Sequence, residues 1–304
     1  MAELLNEFSW SKSRDETFRK CPRQYYFHYY GSWGGWESDC DPRVRRAYVL
    51  KQLVTRAMWA GAKVHDCIKR ALRNLRRSIE PMPEPEAIAT TLAIMRKDYL
   101  SSRRGDYRKN PKTCGFLEHE YGLPVADAEW KETADHVVRC LESFYRSQVF
   151  GRIRTLPTER WLDVEEFSSF PLDGVKVHVV LDFSYRDERD GVVIYDWKTG
   201  RADEKRNEVQ LACYSFYATK QWGVAPERVT TVEFNLATGA EHPYHLGATG
   251  LASIRQYIQS SIRDMKLLLA DPATNLAVEE RFAFTENEAA CQHCCFRAIC
   301  PRWE

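Results

Sequence analysis

Four cysteines fall within ten residues, CQHCCFRAIC at 291–300, and no other feature of this 304-residue sequence restricts its folding as tightly. The other six, Cys21, Cys40, Cys67, Cys114, Cys140 and Cys213, are scattered. The opening MAELLNEFSW lacks a basic segment followed by an apolar one. No run approaches the ~18 apolar residues of a membrane helix. The expectation is a cytoplasmic chain with no membrane partner, in a reducing compartment where structural disulfides are rare. The cluster therefore reads as a metal or cluster site. Cys291-x2-Cys294 aims two thiolates at one centre, and Cys300 returns with a third after a short turn. The fourth ligand is Cys295, His293 or a residue from elsewhere. The best remote candidate is Cys21, because Pro22 ends the preceding helix there and leaves its thiolate on a fixed corner. With Cys21 in the set, residue 21 is stapled to residue 291. The donors alone leave zinc and iron–sulfur open. Cys67, Cys140 and Cys213 stand in apolar-periodic runs and read as small core residues.

Composition narrows the class. Hydrophobic residues at 44% and charged residues at 29% are ordinary for a globular chain. Its length allows one large domain or two modest ones. Lys and Arg number 44 against 43 Asp and Glu, a net charge of +1. That excludes a polycationic nucleic-acid wrapper and an acidic tail protein, but not a local basic groove.

Along the chain, Ser13 and Glu16 stand at capping-box spacing and predict a helix start. An aromatic cluster follows, Tyr25, Tyr26, Phe27, Tyr29, Tyr30, Trp33 and Trp36. It reads as core packing around the cysteine corner, or as a stacking platform for single-stranded bases. Leu50, Leu53, Val54, Ala57, Val64, Ile68, Leu72 and Leu75 recur at three and four and predict one helix over 48–79. Its other face carries Lys69, Arg70, Arg73, Arg76 and Arg77, a solvated face or, with the basic loop at 103–112, a phosphate track. Helices are predicted at about 86–103 and 127–149. From 159 the pattern becomes strand-like: WLDVEEFSSF, VKVHVVLDFSY at 175–185 and GVVIYDWKTG at 191–200. A helix at 205–221, a strand at 228–236 and a helix at 248–270 complete the order.

Asp182 lies in the second of these strands, and Asp196 and Lys198 near the end of the third. Alternation by two puts Asp196 and Lys198 on one face. The short RDERDG connection makes the two strands antiparallel neighbours, which brings Asp182 beside Asp196. Paired carboxylates there suit Mg²⁺ or Mn²⁺, which polarises a phosphoryl oxygen and lowers the pKa of a bound water. Lys198 is a cation placed to steer that water or to stabilise developing phosphorane charge. His65, between Val64 and Ile68 and one turn after Gly61, is a core histidine or a third metal ligand. Gln210 and Tyr214, four apart, share a helix face.

Together these pieces resemble the PD-(D/E)XK nuclease superfamily, and within it the RecB-like branch with an iron–sulfur cluster, as in AddB-type nucleases and CRISPR-adaptation exonucleases. SWSKSRDETFRKCPRQYYFHY resembles the Ser-x-Ser…Cys-Pro-x-x-Tyr opening, with Ser11, Ser13 and Cys21. GAKVH resembles the Gly-x-x-x-His motif ending on His65. VVLDF supplies Asp182, DWKTG supplies Asp196 and Lys198, and QLACY supplies Gln210 and Tyr214. CQHCCFRAIC supplies Cys291, Cys294 and Cys300. Val179 stands where the family often has Gly. Cys295 offers a second register for the cysteine ligands, and Cys294 matches the family spacing.

The resemblance implies an α/β, restriction-endonuclease-like mixed sheet flanked by helices, with a large helical N-terminal half. It implies one domain over 1–304: an iron–sulfur part at 1–45 and 285–304, a helical part at 46–158 and a catalytic core at 159–284. It implies a [4Fe–4S] cluster on Cys21, Cys291, Cys294 and Cys300. It implies Mg²⁺ or Mn²⁺ on His65, Asp182, Asp196 and the Trp197 carbonyl, with Lys198 catalytic and Gln210 and Tyr214 in support. The implied activity is a metal-dependent DNA nuclease, an exonuclease on single-stranded DNA in repair, recombination or phage defence. No G-x-x-x-x-G-K-[ST] loop is present, so a helicase or integrase-like partner is expected as a separate chain. The alternatives are a catalytically silent nuclease-like scaffold that binds DNA or a partner, and a zinc-stapled structural protein.

Overall fold

The structure is a computed structural model that describes residues 4–200 and 204–303, with the side chains of 204–207 excepted. Strand β1 (Ser9–Trp10) leads into α1 (Lys12–Lys20) and α2 (Pro22–Tyr26). The N-cap of α1 is Ser11, whose hydroxyl accepts from the Arg14 amide at 3.2 Å, so the predicted start at Ser13 is two residues late. As expected, Pro22 divides the helices at Cys21. The backbone of Cys21 is extended, and its sulfur caps α2 by accepting from the Gln24 amide at 3.4 Å.

The helical region comprises α3 (Pro42–Leu50), α4 (Arg56–Arg76), α5 (Glu84–Arg104), α6 (Leu117–Glu120), α7 (Asp127–Arg146) and α8 (Gln148–Thr155). The single helix predicted over 48–79 is thus two. Thr55 ends the extended break between them by accepting from the Met58 amide at 3.3 Å, a cap that apolar periodicity does not register.

The strands follow: β2 (Trp161–Leu172), β3 (Val175–Arg186) and β4 (Val192–Lys198). After them come α9 (Glu204–Trp222), β5 (Val229–Asn235), β6 (Ala240–Tyr244), α10 (Ala248–Leu267), β7 (Leu269–Asp271), β8 (Leu276–Ala277) and α11 (Glu288–Gln292). Six strands form one mixed sheet, ordered β1-β3-β4-β5-β6 with β2 also on β3. β3 is antiparallel to β2 and β4, and β4 is parallel to β5 across the α9 connection. The α/β, restriction-endonuclease-like architecture read from the sequence is therefore present. The register runs from Arg186 on Val192 to Phe183 on Tyr195, and Asp182 and Asp196 are the residues just beyond that last pair.

Two cores sandwich the sheet. One joins Val64, Ile68, Val137, Leu141 and Phe144 of the long helices to Phe183, Tyr195, Trp197 and Phe234. The other joins Leu211, Tyr214, Ile258 and Met265 to Val177, Leu181, Val192 and Ile194. Along β3 the alternation breaks beside Asp182: Val177, Val179 and Leu181 pack in the second core, Phe183 in the first. β2 changes sides at the same level, Val164 against Phe170. Between them Glu165 has φ 48°, a left-handed conformation uncommon for a residue other than Gly.

Part of the aromatic cluster packs into the core, while Trp33 stays exposed. Tyr25 and Phe27 are fully buried, and Tyr25 meets Phe18, Tyr29 and Phe282 ring to ring. Among the described residues no helix is long and apolar enough to cross a membrane.

Candidate active site

The loss of alternation at the Glu165–Asp182 level leaves consecutive residues Leu181–Ser184 all buried, so the Asp182 carboxylate sits inside the protein. It is not left unpartnered. One oxygen accepts from the Trp197 amide at 2.6 Å and the other lies 3.1 Å from His65 Nδ1. The same nitrogen stands 3.2 Å from Glu165 Oε1. His65 reaches this point because α4 comes close to the turn after β4. A Cβ on Gly61 would stand 3.3 Å from Thr199 Oγ1, so a larger residue would push the helix away.

Asp196, also buried, is held from the opposite side by α9. Tyr214 donates its hydroxyl to Asp196 Oδ1 at 3.0 Å, and Gln210 Nε2 donates to the same oxygen at 3.2 Å. Gln210 Oε1 in turn accepts from Lys198 Nζ at 3.1 Å. Lys198 Nζ lies 2.5 Å from Asp196 Oδ2. The spacing-based reading thus brings Asp196 and Lys198 together, and the four-residue spacing of Gln210 and Tyr214 delivers both to one carboxylate.

The electrostatics follow from burial and proximity. Burial works against charge on His65, but Asp182 and Glu165 overcome it and hold the imidazole up at about 11. Burial raises the Asp182 carboxyl, with His65 opposing and Asp196 adding to the shift. Burial also works against charge on Lys198, yet Asp196 raises it, so the ammonium is retained. Burial and Asp196 push the Tyr214 hydroxyl well above its ordinary range, which keeps it a neutral donor.

His65, Glu165 and Asp182 offer three ligand atoms within 4.8 Å of one another. An imidazole and carboxylate oxygens clustered in a buried site suit a hard divalent cation. Glu165 escaped the sequence reading: DVEEF offers three acids in four residues and no period marks which one turns inward. Glu233 escaped for a different reason. It is buried and paired with Asp196 across the parallel β4–β5 ladder, which no spacing within one segment discloses. Lys12, whose Nζ stands 3.5 Å from Gln210 Oε1, is a third addition from the far N-terminal region. Of the cations on α4, Lys69 lies 3.8 Å from Glu165 and Arg76 3.4 Å from Glu166, so part of the expected phosphate track is engaged with β2.

Cys21, Cys291, Cys294 and Cys300 line one cavity, and Arg23 and Arg302 border it. Cys294 Sγ accepts from the Phe296 amide at 3.4 Å. Cys295 is buried in the neighbouring core with Phe27 and Phe296, its sulfur 4.0 Å from His28. His293 borders a different cavity, beside Thr199 and Glu118.

Comparison with known proteins adds the following. No curated protein matches the chain. The crystal structure of SSO0001 aligns at 17% identity and a TM-score of 0.30, covering 59% of this chain and 79% of that one. The model of the PD-(D/E)XK nuclease superfamily matches residues 9–301. With that match spanning both the sheet carboxylates and the cysteine corner, the chain belongs to the PD-(D/E)XK nuclease superfamily.

Proposed function

We propose that this chain is a Mg²⁺- or Mn²⁺-dependent deoxyribonuclease that hydrolyses phosphodiester bonds, acting on single-stranded DNA as an exonuclease in repair, recombination or defence. The observation that carries the reading is a pair of buried carboxylates on neighbouring strands, Asp182 held by His65 and the Trp197 amide, and Asp196 held by Lys198, Gln210 and Tyr214. A scaffold that only bound DNA would have no use for two opposed buried carboxylates with a lysine between one of them and solvent.

In this reading His65, Asp182 and Glu165, whose ligand atoms lie within 4.8 Å of one another, would hold the divalent ion, and Asp196 and the Trp197 carbonyl are the ligands that the family resemblance adds. The bound ion supplies Lewis acidity toward the phosphoryl oxygen and a more acidic water. The chain's own residues do the rest. The Trp197 amide fixes the orientation of Asp182. Tyr214 and Gln210 fix Asp196 and leave its second oxygen to Lys198. Lys198, kept protonated by Asp196, contributes positive charge next to the scissile phosphate and is not a general base in its resting state.

The cysteine corner is proposed as a structural [4Fe–4S] site held by Cys21, Cys291, Cys294 and Cys300. Their shared cavity supports it, as do the Gln24 and Phe296 amides directed at two of the sulfurs. Four thiolates also suit tetrahedral zinc, and colour separates the two: a cluster protein purified without oxygen is brown, a zinc protein colourless. The whole chain is proposed to act as one nuclease domain, with 1–45 and 285–304 as its iron–sulfur part, 46–158 helical and 159–284 catalytic. A helicase or integrase-like protein is proposed as partner. Tandem purification at native levels should return such a protein, and recovery of this chain alone would count against it.

The test is cleavage of end-labelled single- and double-stranded DNA by anaerobically purified protein, with Mg²⁺, Mn²⁺ or EDTA. The expected result is metal-dependent degradation of the single strand from an end. A folded, brown protein that cuts nothing would transfer the assignment to the silent scaffold.

A further inference from the structure

Phe167 is the most exposed aromatic side chain among the described residues, at 73%. A single exposed phenylalanine is unremarkable in itself, but this one has a defined setting. Its ring stacks on His178 at 4.8 Å between centroids and 29° between planes. It pairs across the β2–β3 ladder with Val180, which is also exposed. Val180 lies two residues from Asp182, about 7 Å along the strand.

Phe167 and His178 form one wall of a cavity of about 490 Å³, and Gln210 and Tyr214, the partners of Asp196, also line it. Lys12, Arg14 and Tyr29 close the remaining side. Arg14 lies over the Tyr29 ring at 4.2 Å. Glu16 is the one carboxylate in this lining, and it is paired with Lys12 at 3.3 Å. The cavity thus places a solvent-facing ring and two cations with Gln210 and Tyr214, which donate to Asp196. Burial, with Arg14 and Lys176 nearby, pushes the His178 imidazole down, which favours a neutral ring behind Phe167.

We infer that the Phe167–His178 pair is a base-stacking platform that seats one base of a single-stranded DNA beside the carboxylate pocket, with Lys12 and Arg14 taking the adjoining phosphates. The inference deepens the nuclease reading and rests on it for the identity of the strand. A stacked ring serves every base, because each has a π face, so the platform aligns the strand without reading its sequence. It favours an unstacked base, since the faces of bases inside a duplex are covered by their neighbours, and so it gives the single-strand preference a structural cause. Of the aromatic cluster at 25–36, Tyr29 reaches this cavity.

The experiment measures anisotropy of a fluorescein-labelled single-stranded oligonucleotide in EDTA, so that no cutting occurs. A fully abasic strand of the same length serves as the base-free probe. Wild-type protein should prefer the intact strand. Phe167→Ala should bind it roughly tenfold more weakly, the size of one base–aromatic stack, and bind the abasic strand unchanged. Phe167→Trp should restore binding. Because Phe167 is solvent-facing, thermal melting of the variants should match wild type. Equal binding by Phe167→Ala and wild type, or an equal loss on both strands, would overturn the inference. Cleavage is measured separately, so a protein that cuts DNA with no Phe167 effect loses only this inference. One that binds through Phe167 and never cuts loses only the nuclease reading.

Discussion

Asp196 and Cys291 mark two centres built by different means. Asp196 is the fifth residue of a seven-residue strand that pairs with β3 and β5, and its oxygens are assigned to Tyr214, Gln210 and Lys198. Cys291 stands on a five-residue helix, α11, and Cys21, which lines the same cavity, caps another of five residues, α2. Helices that short are not stable by themselves. The carboxylate pocket can therefore be preformed by the sheet. The cluster proposed for the cysteine corner would contribute directly to folding there, because the surrounding elements are weak.

The largest expected effect tests the preformed half. Asp196→Ala or Lys198→Ala should lower cleavage by about 10³-fold while the melting temperature changes little. A variant that cuts normally would remove the sheet from the chemistry. Next comes the dependent half. Cys291→Ala should cost several kcal/mol of stability and much of the soluble yield, whereas Cys295→Ala, which removes one buried sulfur, should cost about 1 kcal/mol. Equal losses, followed by denaturant titration, would show that the register of ligands is wrong or that the corner needs no bound group.

A third effect sharpens the contrast by pH. Burial, with Lys51 and Lys20 nearby, pushes His28 in the cysteine corner down to about 4. Between that value and the ordinary 6.5 the unfolded chain binds the extra proton, so stability rises with pH across this window. The stabilisation is complete above about 6.5 and is lost as pH falls toward 4, amounting to about 2–3 kcal/mol. Urea titrations at pH 5 and pH 7 should differ for wild type and converge for His28→Gln. An unchanged pH difference in the variant would assign the effect elsewhere. The smallest effect is Tyr214→Phe, which removes one donor to Asp196 and should slow cleavage roughly tenfold. Steady-state rates that matched wild type would mean that Gln210 alone fixes the carboxylate.

How much of this was legible depended on whether the signal was local. Asp196 and Lys198 share a strand, Gln210 and Tyr214 share a helix face, and Pro22 marks the corner at Cys21, so short-range periodicity and turn chemistry disclose them. Glu165 was hidden because its placement comes from a positive φ inside a strand, where alternation stops being a guide. Glu233 and Lys12 were hidden because ladder pairing and the return of the N-terminal segment bring them in. The broken helix at 51–55 was missed for the opposite reason: apolar spacing continues across the gap, and only the Thr55 cap records the break. The two-residue strand β1 and the short β7–β8 pair carry too few residues for any period to be read.

The central claim is that the carboxylates of β3 and β4, with His65, make one divalent-ion site. Calorimetric titration of Mn²⁺ into wild type, Asp196→Ala and His65→Ala tests it most directly. The account predicts binding by wild type and at least a roughly tenfold loss of affinity in each variant, with circular dichroism unchanged. Equal Mn²⁺ affinity in all three proteins, or no binding by the wild type, would contradict it.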